Sequence, residues 1–241
     1  MSAVPPGPPS PRPRASAAVA FCPAPPLLLP AVEVRPDVAT TALRTACAAA
    51  VAEMLAVLPD TVVVVADGAS PGERFGAGDV GDLRGFGVDV AIPFDGPVRR
   101  GGRPVPPAHI LGAWLLDQTG FAGVRVGIGP ADLGPLVRRL PAPVGVLAMG
   151  DGSARRSVKA PGYLDEAAAP FDAGVARALD AGDAAALADL DPGEGARLLA
   201  AGVPVWRAVG AALAGRTVTA RLHHHAAPFG VGYLAATWVV A

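Results

Sequence analysis

Three places in this 241-residue chain carry side chains able to do chemistry. The first is the stretch MGDGSARRSVKAPGY, residues 149–163. Asp151 and Ser153 can bond to neighbouring backbone amides and fix a turn, while Gly150 and Gly152 let the backbone turn tightly or approach a ligand. Arg155, Arg156 and Lys159 put three cations within five positions. Such a cluster can hold a carboxylate or a phosphate, with arginine giving bidentate contacts. Tyr163 adds a ring and a hydroxyl. Asp151, Ser153, Arg155, Arg156, Lys159 and Tyr163 are therefore the expected ligand-binding set, weighed against a solvated basic loop whose arginines pair with surface acids.

The second place is the tripeptide His223-His224-His225. On a regular strand His223 and His225 share a face and His224 points away. With Asp67 as a third ligand, such a pair could grip Zn²⁺ or Fe²⁺; a histidine-rich strand end without metal is the favoured reading. The third place is Cys22 and Cys47, which lie in apolar surroundings and do not make a zinc spacing. They read as two buried thiols in a reducing cytoplasm. Cys22 would become a nucleophile only if a neighbouring cation or histidine lowered its pKa. His109, just after Pro107, reads as a surface or loop-packing histidine.

Composition removes several function classes. With 20 basic and 21 acidic residues there is no basic stripe for nucleic acid. Apolar residues make up 51% of the chain, enough for a sizeable core. Prolines break the apolar run after residue 22, and no stretch of about 20 uninterrupted apolar residues is present, so no membrane span is expected. Localisation is expected to be cytoplasmic. Residues 1–14 are rich in Pro, Ser and Gly and read as a disordered tail; residues 15–241 read as one domain. There is no Gly-x-Ser-x-Gly elbow, no Gly-x-x-x-x-Gly-Lys loop and no Gly-x-Gly-x-x-Gly after a strand.

The elements that must position these residues alternate. Strands are expected at residues 15–22, 61–66 (TVVVVA), 87–92, 124–128 and 144–149, with helices at 37–58, 107–119 and 131–140 between them. Asp37 is the expected N-cap of the first helix. Residues 67–85 read as a Gly-rich loop. The second half is more helical, at 164–181, 184–190, 192–201 and 204–214, and closes with strands near 217–223 and 231–239. This order implies an α/β fold: a single three-layer domain with a mostly parallel central sheet and helices on both faces. In such sheets sites gather at the carboxyl ends of strands. Those ends lead here into the loops 23–30, 67–85 and 150–162.

Several motifs carry a family resemblance. Gly150-Asp151-Gly152-Ser153-Ala154-Arg155 follows a strand, then come Pro161-Gly162-Tyr163, Phe171-Asp172 and Ala178-Leu179-Asp180-Ala181-Gly182-Asp183. With Phe21-Cys22-Pro23-Ala24-Pro25-Pro26 at the start and residues 230–238 at the end, the chain resembles the class III extradiol ring-cleavage dioxygenase superfamily, and within it an actinobacterial branch. The resemblance implies a non-haem Fe(II) held by two histidines and a glutamate, with a further histidine as acid or base. The matching positions are substituted. The first ligand position matches Ala24, the second falls in Asp67-Gly68-Ala69-Ser70, the acid/base position is Ala154, and no Asp or Glu follows Glu194.

A methyl group has no lone pair for iron and no proton to give. The expectation is a dioxygenase-like fold whose metal and acid/base positions are replaced. It would have no cofactor and no ring cleavage, and would hold a small anionic or aromatic molecule in a retained cleft. A metal-dependent oxidoreductase using His223, His225 and Asp67 with Fe(II) or Zn is the alternative. A homo-oligomeric interaction protein is the second.

Overall fold

The structure is a computed structural model that describes residues 15–33, 35 and 37–241. The tail assigned to residues 1–14 lies outside the described residues.

Two apolar faces on each central strand explain the architecture. In β1 (Ala17–Cys22), Ala18, Ala20 and Cys22 pack to one side and Ala17, Val19 and Phe21 to the other. In β2 (Thr61–Val65), Val62 and Val64 oppose Val63 and Val65 in the same way. A strand apolar on both faces has to be covered on both. One face is covered by α1 (Val38–Leu55), α2 (Pro107–Gln118) and an antiparallel hairpin of β4 (Val80–Leu83) and β5 (Val88–Pro93). The other carries α3 (Leu133–Val137), α4 (Ala168–Ala181), α5 (Ala184–Ala188) and α7 (Val203–Ala212), with α6 (Pro192–Arg197) beside α7.

The seven-stranded sheet has the order β3-β6-β2-β7-β1-β9-β8. Its centre is parallel: β6 (Val124–Ile128), β2, β7 (Val144–Met149) and β1 run the same way. The two-residue β3 (Arg74–Phe75) pairs antiparallel at one edge. At the other, β9 (Tyr233–Val240) runs antiparallel to β1 and pairs with β8 (Val218–Ala226). The expected three-layer α/β arrangement is what the chain forms.

Three details differ from the sequence reading. The loop expected at residues 67–85 contains β3 and β4, because Arg74 and Phe75 find partners on β6 and β4 pairs with the strand after it. The strand expected at 87–92 does form, as β5, but in that hairpin and not in the main sheet. The helix expected over 131–140 is short, because a 3₁₀ turn at Pro130–Asp132 precedes it.

The long helix α1 begins where Asp37 predicts: its side chain accepts the amides of Ala39 and Thr40 at 2.7 and 3.4 Å. Among the described residues α1 is the one helix long and apolar enough by composition to cross a bilayer. Here Leu43, Cys47, Val51 and Met54 are buried against the sheet, as in the core helix of a folded domain.

Candidate functional site

Because β2, β7 and β1 are parallel neighbours, their carboxyl ends open side by side. The loops that leave them supply Asp67 and Gly68, then Gly150 and Asp151, then Ala24, to one cleft of about 320 Å³. Pro106–Ala108 at the start of α2 and Ala201 before α7 complete the wall. This is where an open α/β sheet is expected to hold a ligand.

Asp151 is the polar group in the floor. One of its oxygens accepts the Ala24 amide at 2.7 Å, which ties the loop after β7 to the loop after β1. Burial disfavours the charged carboxylate and raises its pKa to about 6, although the Ala24 amide works against that shift. Tyr233, on β9, is near enough to feel this charge. Burial first, and the Asp151 carboxylate second, push its hydroxyl above the usual tyrosine range, so it stays protonated. Asp67 lies on the exposed side of the cleft, where one of its oxygens accepts the Gly68 amide at 2.9 Å. The backbone under the cleft is closely packed. A Cβ on Gly150 would run into the Cα of Gly202, so the loop can lie against the turn before α7 only as glycine.

The other residues singled out in the 149–163 stretch do not line this cleft. Ser153 is fully buried; its amide and hydroxyl both donate to Asp172 of α4, at 2.8 and 2.7 Å. Arg156 donates to the same carboxylate at 2.8 Å. This group of three is locked further by backbone bonds from Gly152 to Gly232, from Gly232 to Ser153 and from Arg156 to Gly230. Gly152 is thus a close approach to protein: a Cβ there would lie 2.8 Å from Asp172 Oδ1. Arg155 is half-buried, and its Nε has no hydrogen-bond partner among the described residues. Lys159 is exposed, and so is Tyr163, which takes a left-handed backbone at φ 61°. Of the six expected residues, Asp151 alone reaches the cleft. Arg155, Arg156 and Lys159 are absent from its lining.

The histidines are arranged differently from a regular strand. A register shift between Leu222 and His224 inserts one residue into β8 against β9. A bulge of this kind reverses the facing of all that follows. Leu222 packs toward α4. His223 and His224 both turn to the α1 side, where they line a groove with Thr41, Thr45 and Ala49. His223 Nε2 lies 2.9 Å from Thr237 Oγ1 and 3.3 Å from Glu53 Oε2, while burial lowers its pKa. His225 turns to the other face, near Arg156 and Asp172. The expectation that His223 and His225 share a face is corrected by the bulge. Asp67 is no partner to either, since β8 and β2 are four strand spacings apart, roughly 19 Å.

His109 also departs from expectation. It is fully buried in α2, with Nε2 at 2.9 Å from the Ile128 carbonyl and its ring edge-on to Phe75. Burial holds its pKa down. Cys22 and Cys47 are buried and unpaired, as read from their surroundings. The Cys47 side chain and then burial raise the Cys22 thiol well above its ordinary value, the opposite of what a nucleophile requires.

An iron of the kind the resemblance implies needs imidazole and carboxylate donors converging on one point. The cleft offers the carboxylates of Asp67 and Asp151 and no imidazole on its lining. Among the described residues, no three His, Cys, Asp or Glu side chains are grouped to hold a metal ion. The donor set does not fit that iron.

No protein-family model matches this chain, and no curated protein matches it either. Two contributors to the cleft lining, Ala201 and the Pro106–Ala108 turn, were not singled out from sequence as site residues. Neither carries a local signal, since each reaches the cleft only through the packing of the turn before α7 and of the start of α2 beside the central strands.

Proposed function

We propose that the chain is an extradiol dioxygenase-like protein that has kept the ligand cleft of its fold and lost the iron chemistry. It would serve as a binding protein for a small aromatic molecule. The observation that carries the reading is the convergence of Ala24, Asp67 and Asp151 on one cleft at the carboxyl edge of β1, β2 and β7. The resemblance places two metal ligands in the loops after β1 and β2 and the acid/base histidine in the loop after β7, and the lining there supplies a methyl group and two carboxylates. The volume, about 320 Å³, suits a single ring. Of the two ligand types expected, anionic and aromatic, the aromatic one is favoured. The cleft lining carries two carboxylates and no cationic side chain, and Arg156 is committed to Asp172.

The test is an iron and oxygen measurement. Protein loaded anaerobically with Fe²⁺ and then desalted is expected to retain far less than one iron per chain and to consume no oxygen with catechol. Retention of about one iron per chain together with ring cleavage would overturn the reading.

A further inference from the structure

Asp67 and Ala201 each line two cavities. One is the cleft just described. The other, of about 580 Å³, lies along α6 and the start of α7, with walls from Pro192, Ala196, Leu199, Ala200, Val203 and Pro204. Sharing Asp67 and Ala201, the two adjoin; the cleft, with its acidic groups, is termed the inner chamber, and the second, with mostly apolar walls, the outer chamber.

Charge is divided unevenly between them. The ionisable side chains of the inner chamber are Asp67 and Asp151. Arg207 belongs to the outer lining, where one guanidinium nitrogen is bonded to the Leu190 carbonyl. The second oxygen of Asp151 has no hydrogen-bond partner among the described residues, and it is not sealed from solvent. At the outer chamber Leu199 leaves 45% of its surface exposed, apolar area that a ligand would cover.

We infer that the two chambers take one elongated amphipathic ligand, a protonated amine on an apolar body. The ammonium group lies between the carboxylates of Asp67 and Asp151, and the apolar body fills the rest of the cleft and runs on along Leu199, Val203 and Pro204. An ammonium brings three donors to groups that only accept. A carboxylate head would meet two like charges with no cation beside them on the inner lining. A hydroxyl would satisfy one acceptor and leave the charge uncompensated. The inference rests on the reading of the cleft as a ligand site and adds the ligand's charge and length.

Calorimetric titration of the full chain at about pH 7.5, where Asp151 is ionised, separates the two levels. The probes are 4-phenylbutylamine, 4-phenylbutanol and 4-phenylbutyrate, with phenol as a short control. The amine is expected to bind about ten-fold or more tightly than the alcohol, and the carboxylate to bind weakest. Asp151→Asn and Asp67→Asn are each expected to reduce the amine's advantage over the alcohol about ten-fold. Leu199→Ser should weaken all three long probes and spare phenol. An alcohol as tight as the amine, or a tighter carboxylate, overturns the charge assignment while the aromatic cleft stands. Failure of all three long probes while phenol binds overturns the elongated ligand alone. If none of the four binds, the cleft reading falls as well.

Discussion

The carboxylate of Asp172 accepts both the amide and the hydroxyl of Ser153, at 2.8 and 2.7 Å, from a position with no exposed surface. That pair, with Arg156 on the same carboxylate, pins the loop after β7 to α4 and so sets where Asp151 lies. Removing one partner of a buried ion pair leaves the other charge without compensation. Asp172→Ala is therefore expected to cost about 3–5 kcal/mol, read as a lower urea midpoint. Ser153→Ala keeps the ion pair and loses one bond to a charged group, so its cost should be smaller, about 1.5–3 kcal/mol. Equal midpoints for wild type and Asp172→Ala would show that the loop is held by something else.

Asp151 should lower stability as the solution becomes less acidic. Its pKa is raised by burial to about 6 from an ordinary 3.8. Between those values the folded chain binds more protons than the unfolded chain, so stability falls as pH rises through this window and stays lower above it. A shift of this size is worth at most about 3 kcal/mol. Asp151→Asn keeps an oxygen for the Ala24 amide and removes the charge. It is expected to be more stable than wild type by about 1–3 kcal/mol at pH 7.5, and to lose that advantage near pH 4. Denaturant titration at the two pH values checks this; an advantage that does not change with pH would place the effect outside the carboxyl's ionisation.

His109 works in the opposite sense. Burial lowers its pKa, so the unfolded chain takes up a proton first as the solution is acidified, and stability is lost as pH falls below about 6.5. His109→Gln, with an amide that can still donate to the Ile128 carbonyl, should flatten that acid limb in thermal melts. An unchanged limb would mean that other groups set it.

The bulge in β8 makes a clear statement about metal. With His223 on the α1 face and His225 on the other, the two rings cannot chelate one ion from a shared face. Zn²⁺ titration of wild type and of the double variant His223→Ala, His225→Ala should give indistinguishable affinities. A loss of about ten-fold or more in the double variant would indicate a site that this arrangement does not contain.

How much of this was legible in the sequence follows from where each signal resides. The run Thr61–Val65 announces a central strand because four consecutive valines leave no polar face, and Asp37 announces a helix start because capping is local. That a site belongs in the loops after β1, β2 and β7 followed from strand alternation; that these strands are neighbours, in the order β2-β7-β1, did not. What stayed hidden depends on partners distant in sequence. Arg156 looks free until Asp172, 16 residues later, turns back from α4 to meet it. His223 looks paired with His225 until the register against β9 reveals the inserted residue. Arg74 and Phe75 carry no strand pattern of their own and extend only because β6 has an open edge. The outer chamber is made by the turn between α6 and α7, whose residues form no motif.

On the proposed function, the cleft between Ala24, Asp67 and Asp151 binds an aromatic ligand without metal. Amide-resolved NMR of the uniformly ¹⁵N-labelled chain, titrated with phenol in excess EDTA, tests it most directly. Saturable shifts centred on the amides of Ala24, Gly68 and Asp151 are expected. Shifts that appear only after a divalent metal is supplied, or that centre on the α1 groove at His223 and His224, would contradict it.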